Sequence, residues 1–361
     1  MAQKHRLQII LAPILLPFSW IFAVISRIRF FLYKHGILKT YTPKIPCICV
    51  GNISWGGTGK SPLVDYLLKR FHKEHIDCAV LSRGYGVKLP HYPFVLDKNS
   101  VMNDSRLPDE PCMLFNKNPF TTIIINPKRA ESALYAEKNL PHIQALLMDD
   151  GFQHFALNRT ENFVLLDKDD LTPKAEYAKS NWNTLIPLGS WREPEQALHR
   201  ASAFFLKCPP SAWKQIKQHC LVKLAPYHKP LFVFNLNIER LEPLFHKEIK
   251  PIRQYALIAG IGNPYQFQKS VQNFLGQACA KSIFLTDHAD MEKHAAKLLA
   301  LDMPVICTEK DAVKLKRHPE LARKEIYCTA TAVQFHACAF TPHTFETWFA
   351  KNILTHFNNG N

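Results

Sequence analysis

Between Ile45 and Phe71 the chain runs from an apolar strand-like segment through a glycine-rich loop into a helix. The strand candidate Ile45–Val50 leads into Gly51-Asn52-Ile53-Ser54-Trp55-Gly56-Gly57-Thr58-Gly59-Lys60-Ser61. Behind it, Leu63, Val64, Leu67, Leu68 and Phe71 recur on one helical face, and Pro62 suits a first turn. Strand, loop, Lys-Ser and helix in this order form the context that a phosphate-binding loop (P-loop) requires. Glycines let backbone N–H groups close around phosphate oxygens, and the helix N-terminus adds favourable potential. Lys60 would reach the β- and γ-phosphates of a nucleotide, and the Ser61 hydroxyl would ligate Mg²⁺. The expected nucleotide contacts are Ser54, Gly56, Gly57, Thr58, Gly59, Lys60 and Ser61. Ser54 departs from the usual pattern, which has glycine there.

Such a loop needs a further carboxylate for its metal, normally at the tip of another strand. Ala145–Met148 is apolar and ends in Asp149-Asp150-Gly151-Phe152-Gln153-His154. An Asp-Gly turn would explain the dipeptide alone. Two adjacent carboxylates repel unless a cation holds them, so Ser61, Asp149 and Asp150 are the expected metal ligands. Further apolar runs at 79–81, 121–125, 163–166 and 203–206 alternate with helical stretches. That pattern predicts an α/β fold: a P-loop NTPase-like domain with a mainly parallel sheet. Prolines at 209, 210, 226 and 230 break the series. A second set of runs, at 231–234, 255–259, 282–285, 304–308 and 325–329, predicts a second, smaller α/β domain. The expected division is residues 1–36, 37–225 and 226–361.

Leu7 to Ser26 carry no charge and are flanked by Lys4, Arg6, Arg27 and Arg29. As a helix this run reaches about 30 Å, the thickness of a hydrocarbon core. No small-residue cleavage site follows, so a removable signal peptide is not expected. An interfacial anchor, a full span and a helix buried in the protein all fit the run. The expectation is a membrane-associated N-terminal helix. A formal net charge of +15 favours anionic partners. Nucleic acid is not expected among them, because no recognition signature accompanies the dispersed Lys and Arg. The ten cysteines lack metal-binding spacing and several lie in apolar runs, as reduced structural thiols do.

Several further segments join the loop and the acidic strand end: Ser82-Arg83-Gly84-Tyr85-Gly86, Asp109-Glu110-Pro111, and Pro187 through Gly189 to Arg192-Glu193-Pro194. Gly260-Ile261-Gly262-Asn263-Pro264, Asp287-His288 and Thr308-Glu309-Lys310-Asp311-Ala312-Val313-Lys314 follow in order. This set, spanning about residues 45–314, resembles the tetraacyldisaccharide 4′-kinase family of lipid A biosynthesis. The resemblance implies transfer of the γ-phosphate of ATP, with Mg²⁺, to the 4′-hydroxyl of an anionic glycolipid, a tetraacyldisaccharide 1-phosphate. It implies a base formed by Asp109 with His288, and phosphate or sugar contacts from Arg129, Arg192 and Glu193. It also implies work at the cytoplasmic face of the inner membrane; no obligate protein partner is evident. Two departures stand out: Leu107-Pro108 precede Asp109 where the family usually has glycine, and Ser202 stands where Asp commonly follows Arg-Ala.

A membrane-associated P-loop GTPase or an ATPase of an assembly or transport system is the rival reading. Guanine recognition commonly uses N/T-K-x-D. Thr308-Glu309-Lys310-Asp311 puts its lysine one place late, and Asn116-Lys117-Asn118-Pro119 lacks the aspartate.

Overall fold

The computed structural model describes residues 11–85, 87–98, 100, 107–172, 182–286 and 292–357. In chain order the elements are α1 (Ala12–Lys34), β1 (Cys47–Asn52), α2 (Lys60–Lys73), β2 (Cys78–Ser82), β3 (Phe94–Leu96), α3 (Asp109–Lys117), β4 (Thr122–Ile125), α4 (Arg129–Asn139) and β5 (Ala145–Asp149). There follow β6 (Glu161–Leu166), α5 (Lys168–Leu171), β7 (Ala203–Lys207), α6 (Pro210–Leu224), β8 (Leu231–Pro243), β9 (Ala256–Ala259), α7 (Pro264–Leu275) and β10 (Lys281–Phe284). The chain ends with α8 (Glu292–Leu299), β11 (Val305–Cys307), α9 (Glu309–Leu315), β12 (Ile326–Ala339) and α10 (Phe345–Asn352).

All twelve strands join one sheet in the order β10-β9-β11-β12-β8-β7-β6-β1-β5-β2-β4-β3. Pairing is parallel from β10 to β12 and again from β8 to β4. The two parallel runs meet at the antiparallel pair β8–β12, and β3 closes the far edge antiparallel. The mainly parallel α/β fold expected from sequence is therefore present, with the second set of strands continuing the same sheet. Strands β1, β2, β4 and β5 are buried along their whole length, as parallel strands covered by helices must be.

Apolar runs reveal only strands buried on both faces, which is why β8 and β12 extend well past the expected 231–234 and 325–329. Beyond Phe234, β8 is exposed or half-buried everywhere but at Leu241 and pairs with β12 as a ribbon, so its sequence is mixed. Three-residue β3 was missed for a similar reason: it is a half-buried edge.

The aromatic core spans the molecule. Phe71 of α2 meets Phe349 of α10 at 5.6 Å between ring centroids, and Phe232 meets Phe345 at 5.1 Å. The last helix thus returns to pack against the half that carries the phosphate loop.

Helix α1 is docked along one side. The Ser19 hydroxyl donates to Leu185 O and accepts from Leu188 N, at 3.1 and 3.2 Å, and Phe30 and Tyr33 pack on Phe155. The Arg200 guanidinium lies over the rings of Phe30, Phe152 and Phe155 at 5.0, 4.5 and 4.9 Å. The rest of the helix presents Ile14, Phe18, Trp20, Ile21, Val24, Ile25 and Ile28 to the outside. Its 23 residues reach about 35 Å and are apolar enough to cross a bilayer.

Candidate active site

The phosphate loop leaves the carboxyl end of β1 between β5 and β6, at the end of a parallel sheet where ligand sites form. Leu63, Val64, Leu67, Leu68 and Phe71 of α2 are all buried, which fixes the helix and the loop in front of it. Gly59 takes φ +96° as the residue before α2, a left-handed conformation suited to glycine. Gly51 is needed for a different reason. A Cβ there would come within 2.7 Å of the Phe152 Cβ, so the Asp-Asp-Gly-Phe segment lies directly against the loop's start.

Ser54, the departure from the usual glycine, is fully buried and bridges antiparallel to Trp191. Its side chain faces Asp170, a carboxylate only 2% exposed that accepts from Ser190 Oγ at 3.0 Å. Burial pushes the Asp170 carboxyl up to about 6, although Ser54, Ser190 and Trp191 favour its charged form. Trp55 N donates to Ser190 O and Arg192 N to Ile53 O, at 2.8 and 2.7 Å. The loop's first half is therefore stitched to the segment that carries Arg192.

Two clefts meet over this loop. The first, about 520 Å³, is lined by Gly56 to Pro62, Lys207, Ile238, Ile261 to Asn263, and Thr308 to Lys310. It contains every expected nucleotide contact except Ser54, which supports the loop from beneath. The second, about 930 Å³, is lined by Arg29 of α1, Arg83 to Tyr85, Asp109, Arg129, His154, Arg192 and Arg317. Trp55, Gly56, Lys60, Glu110, Asp149 and Asp150 border both.

Charge is concentrated at that border. Asp150 sits at φ +48°, a strained backbone for a residue with a side chain. Both its oxygens are taken: Arg192 Nη1 donates to Oδ2 at 3.3 Å and Nη2 to Oδ1 at 2.9 Å, with Lys60 Nζ at 3.8 Å. Asp149 is buried, and its Oδ1 has no protein partner. Burial, with Glu110 and Asp150 nearby, pushes its carboxyl up to about 7. A buried carboxylate oxygen without a donor beside a phosphate site is what a divalent cation would satisfy. Among the described residues no cluster of three or more His, Cys, Asp or Glu could hold a metal alone, so phosphate oxygens would complete the shell. The residues present therefore fit Mg²⁺ carried by a nucleotide, with Asp149 the free carboxylate and Ser61 on the same cleft.

Asp109 opens α3 and lines the larger cleft, with Oδ1 3.0 Å from Arg317 Nη1 and Oδ2 3.8 Å from Lys314 Nζ. His288, its expected partner, lies outside the described residues. Arg129 is buried; its Nη2 donates to Asp149 O and Asp150 O, both at 3.4 Å, while it still borders the cleft.

Glu193 corrects the expectation. It is 3% exposed, does not line either cleft, and receives both its hydrogen bonds from Arg200 Nη2 at 2.8 Å. Its carboxylate faces Arg200 and not the larger cleft.

The remaining described motifs tie the C-terminal strands to one another and to α2 and α3. Asp311 accepts from Gly260 N at 3.1 Å and from the Thr308 hydroxyl at 2.6 Å, joining two segments 51 residues apart. Lys117 of α3 reaches Asp65 of α2 at 2.9 Å and Glu309 of α9 at 2.8 Å, and Glu309 accepts from Thr331 N on β12.

A family model described as tetraacyldisaccharide-1-P 4′-kinase (LpxK) matches residues 11–353. The chain belongs to this family. Tetraacyldisaccharide 4′-kinases of Nitratidesulfovibrio vulgaris and Oleidesulfovibrio alaskensis are each 35% identical, over 312 and 318 residues. Those alignments cover 85% and 86% of this chain and 85% of each relative. The Francisella tularensis enzyme is 32% identical over 311 residues, 85% of this chain and 91% of its own. The crystal structure of "apo" form LpxK from Aquifex aeolicus in complex with ATP superposes with a TM-score of 0.70 at 26% identity, covering 97% of this chain and 99% of that one. The sequence did not mark Lys207 or Arg317 as cleft residues, because neither carries a local signature. Lys207 is found only through the fold: it ends β7 and its Nζ donates to Gly57 O at 2.6 Å.

Proposed function

We propose that this protein carries out the family's reaction with Lys60, Asp149, Asp150, Arg129, Arg192 and Asp109 as its working residues. As a tetraacyldisaccharide 4′-kinase it transfers the γ-phosphate of ATP to the 4′-hydroxyl of a tetraacyldisaccharide 1-phosphate, a step of lipid A biosynthesis. The observation that carries the residue assignment is the shared border of the two clefts at Lys60, Asp149 and Asp150.

In this reading ATP occupies the smaller cleft and the sugar head of the acceptor the larger. Lys60 and the loop amides hold the β- and γ-phosphates, and Arg192 and Arg129 supply positive charge where the transferred group passes. Asp149 and Ser61 would hold the metal, since Arg192 engages both oxygens of Asp150. A bound Mg²⁺ would neutralise phosphate charge. Asp109 accepts the proton of the 4′-hydroxyl, with His288 as its partner. The expected division of the chain, a kinase core over 37–225 and a smaller unit over 226–361, belongs to the same proposal, with α10 as the piece that returns to the core.

The outward apolar face of α1, next to the Arg29 that borders the acceptor cleft, supports attachment to the cytoplasmic face of the inner membrane. There the acyl chains stay in lipid while the head group reaches Asp109. The test uses the full chain in mixed detergent micelles with γ-labelled ATP and tetraacyldisaccharide 1-phosphate. Label in the organic phase, dependent on acceptor, is expected. Label released only as inorganic phosphate, or equal use of GTP, would favour the ATPase or GTPase reading.

A further inference from the structure

We propose that the indole of Trp55 is the platform on which the acceptor's sugar ring rests beside the phosphate in transfer; this builds on the reading of the larger cleft as the acceptor site. Trp55 is 68% exposed, whereas its loop neighbours Ser54 and Thr58 are buried. Its backbone cannot swing freely, because Trp55 N is bonded to Ser190 O and Ser54 is bridged to Trp191. The ring is thus held out from a fixed backbone, which lowers the entropy lost when something covers it.

Its position says what covers it. Trp55 borders both clefts and directly precedes Gly56, where the loop begins to wrap the phosphates. For transfer, the acceptor oxygen must come about 3–3.5 Å from the phosphorus. The ring that carries this oxygen then lies within reach of a side chain one residue from the phosphate. A hexose is amphipathic: hydroxyls point outward at its rim, and C–H bonds cover its faces. The larger cleft offers charges for the rim in Arg83, Asp109, Arg129 and Arg192. A broad apolar surface for the ring face comes from Trp55, whose flat indole suits such contact. Adenine is a poorer fit, because it sits at the far end of the nucleotide from the γ-phosphate.

The experiment compares wild type with Trp55→Ala and Trp55→Phe in the transfer assay, using the tetraacyl acceptor and a fully deacylated disaccharide 1-phosphate. For Trp55→Ala the KM for both acceptors should rise about 10-fold while the KM for ATP stays within twofold; Trp55→Phe should recover most of the loss. An unchanged acceptor KM overturns the proposal. So does an equal rise in the KM for ATP, which would mean a distorted phosphate loop. A loss confined to the acylated acceptor, with weaker sedimentation on vesicles, would make Trp55 a membrane-interface residue instead. A wild-type enzyme that transfers no label refutes the kinase assignment itself, a separate outcome.

Discussion

Replacing Arg200 with methionine should cost stability far out of proportion to a single surface charge. Arg200 is half-buried, its pKa is lowered chiefly by desolvation, and its guanidinium touches the buried Glu193 twice and three aromatic rings. Methionine can fill much of the volume but leaves the Glu193 carboxylate buried without a donor. Removing one member of a buried pair typically costs about 3–5 kcal/mol. At about 2.1 cal/mol/K per residue, the 361 residues give an unfolding entropy of about 0.76 kcal/mol/K, so Tm should fall by about 4–7 °C. The double variant Arg200→Met/Glu193→Gln removes the stranded charge and should recover a substantial part of that loss. Melting of the detergent-solubilised proteins, followed by tryptophan fluorescence, measures both. A drop under 1 °C for the single variant, or a double variant no better than the single, would refute the claim that Glu193 is a buried counter-charge and return it to the acceptor site.

Lys60→Ala should abolish transfer and change Tm by less than about 2 °C, since the side chain faces the clefts and not the core; near-normal turnover would remove Lys60 from the mechanism. Asp109→Ala should lower kcat about 10²- to 10⁴-fold with ATP affinity retained, read by single-turnover transfer and equilibrium nucleotide binding. Asp170 ties stability to pH. Its folded carboxyl, near 6 against 3.8 in the free side chain, holds its proton more tightly than the unfolded chain. The contribution of Asp170 to stability should therefore fall as pH rises from about 4 to 6 and stay flat above, by at most about 3 kcal/mol. Asp170→Asn should flatten that slope in pH-dependent urea unfolding, and an unchanged slope would assign it to another group.

The phosphate loop and the acidic strand end were legible because their chemistry is local: a few consecutive residues must do a fixed job. Lys60 and Ser61 lie in the cleft where sequence put them, and Arg83 and Tyr85 follow their strand into the neighbouring one. Glu193 was not legible. Its neighbour Arg192 reaches into the cleft while Glu193 points to Arg200, and sequence adjacency says nothing about which side of an irregular segment a side chain takes. Asp170 and Lys207 escaped for the opposite reason, since their partners Ser190 and Gly57 are distant in sequence. The β8–β12 ribbon was half visible, because apolar runs report burial and the ribbon's outer part is open to solvent.

The chain Asp65–Lys117–Glu309–Thr331 also limits how this sequence can drift. Its members sit on α2, α3, α9 and β12, so one lysine answers to two acids from separate parts of the molecule. No single neutral step leads away from it. Losing Lys117 leaves Glu309 with the Thr331 amide and hydroxyl as donors, while Asp65 keeps Lys69 and Asn118; changing Glu309 frees Thr331 N as well. Across relatives, positions 117 and 309 should therefore change together, whereas position 65 can keep its acid beside Lys69. A lineage that had lost the lysine should show Glu309 replaced, or a new cation beside it from a neighbouring helix.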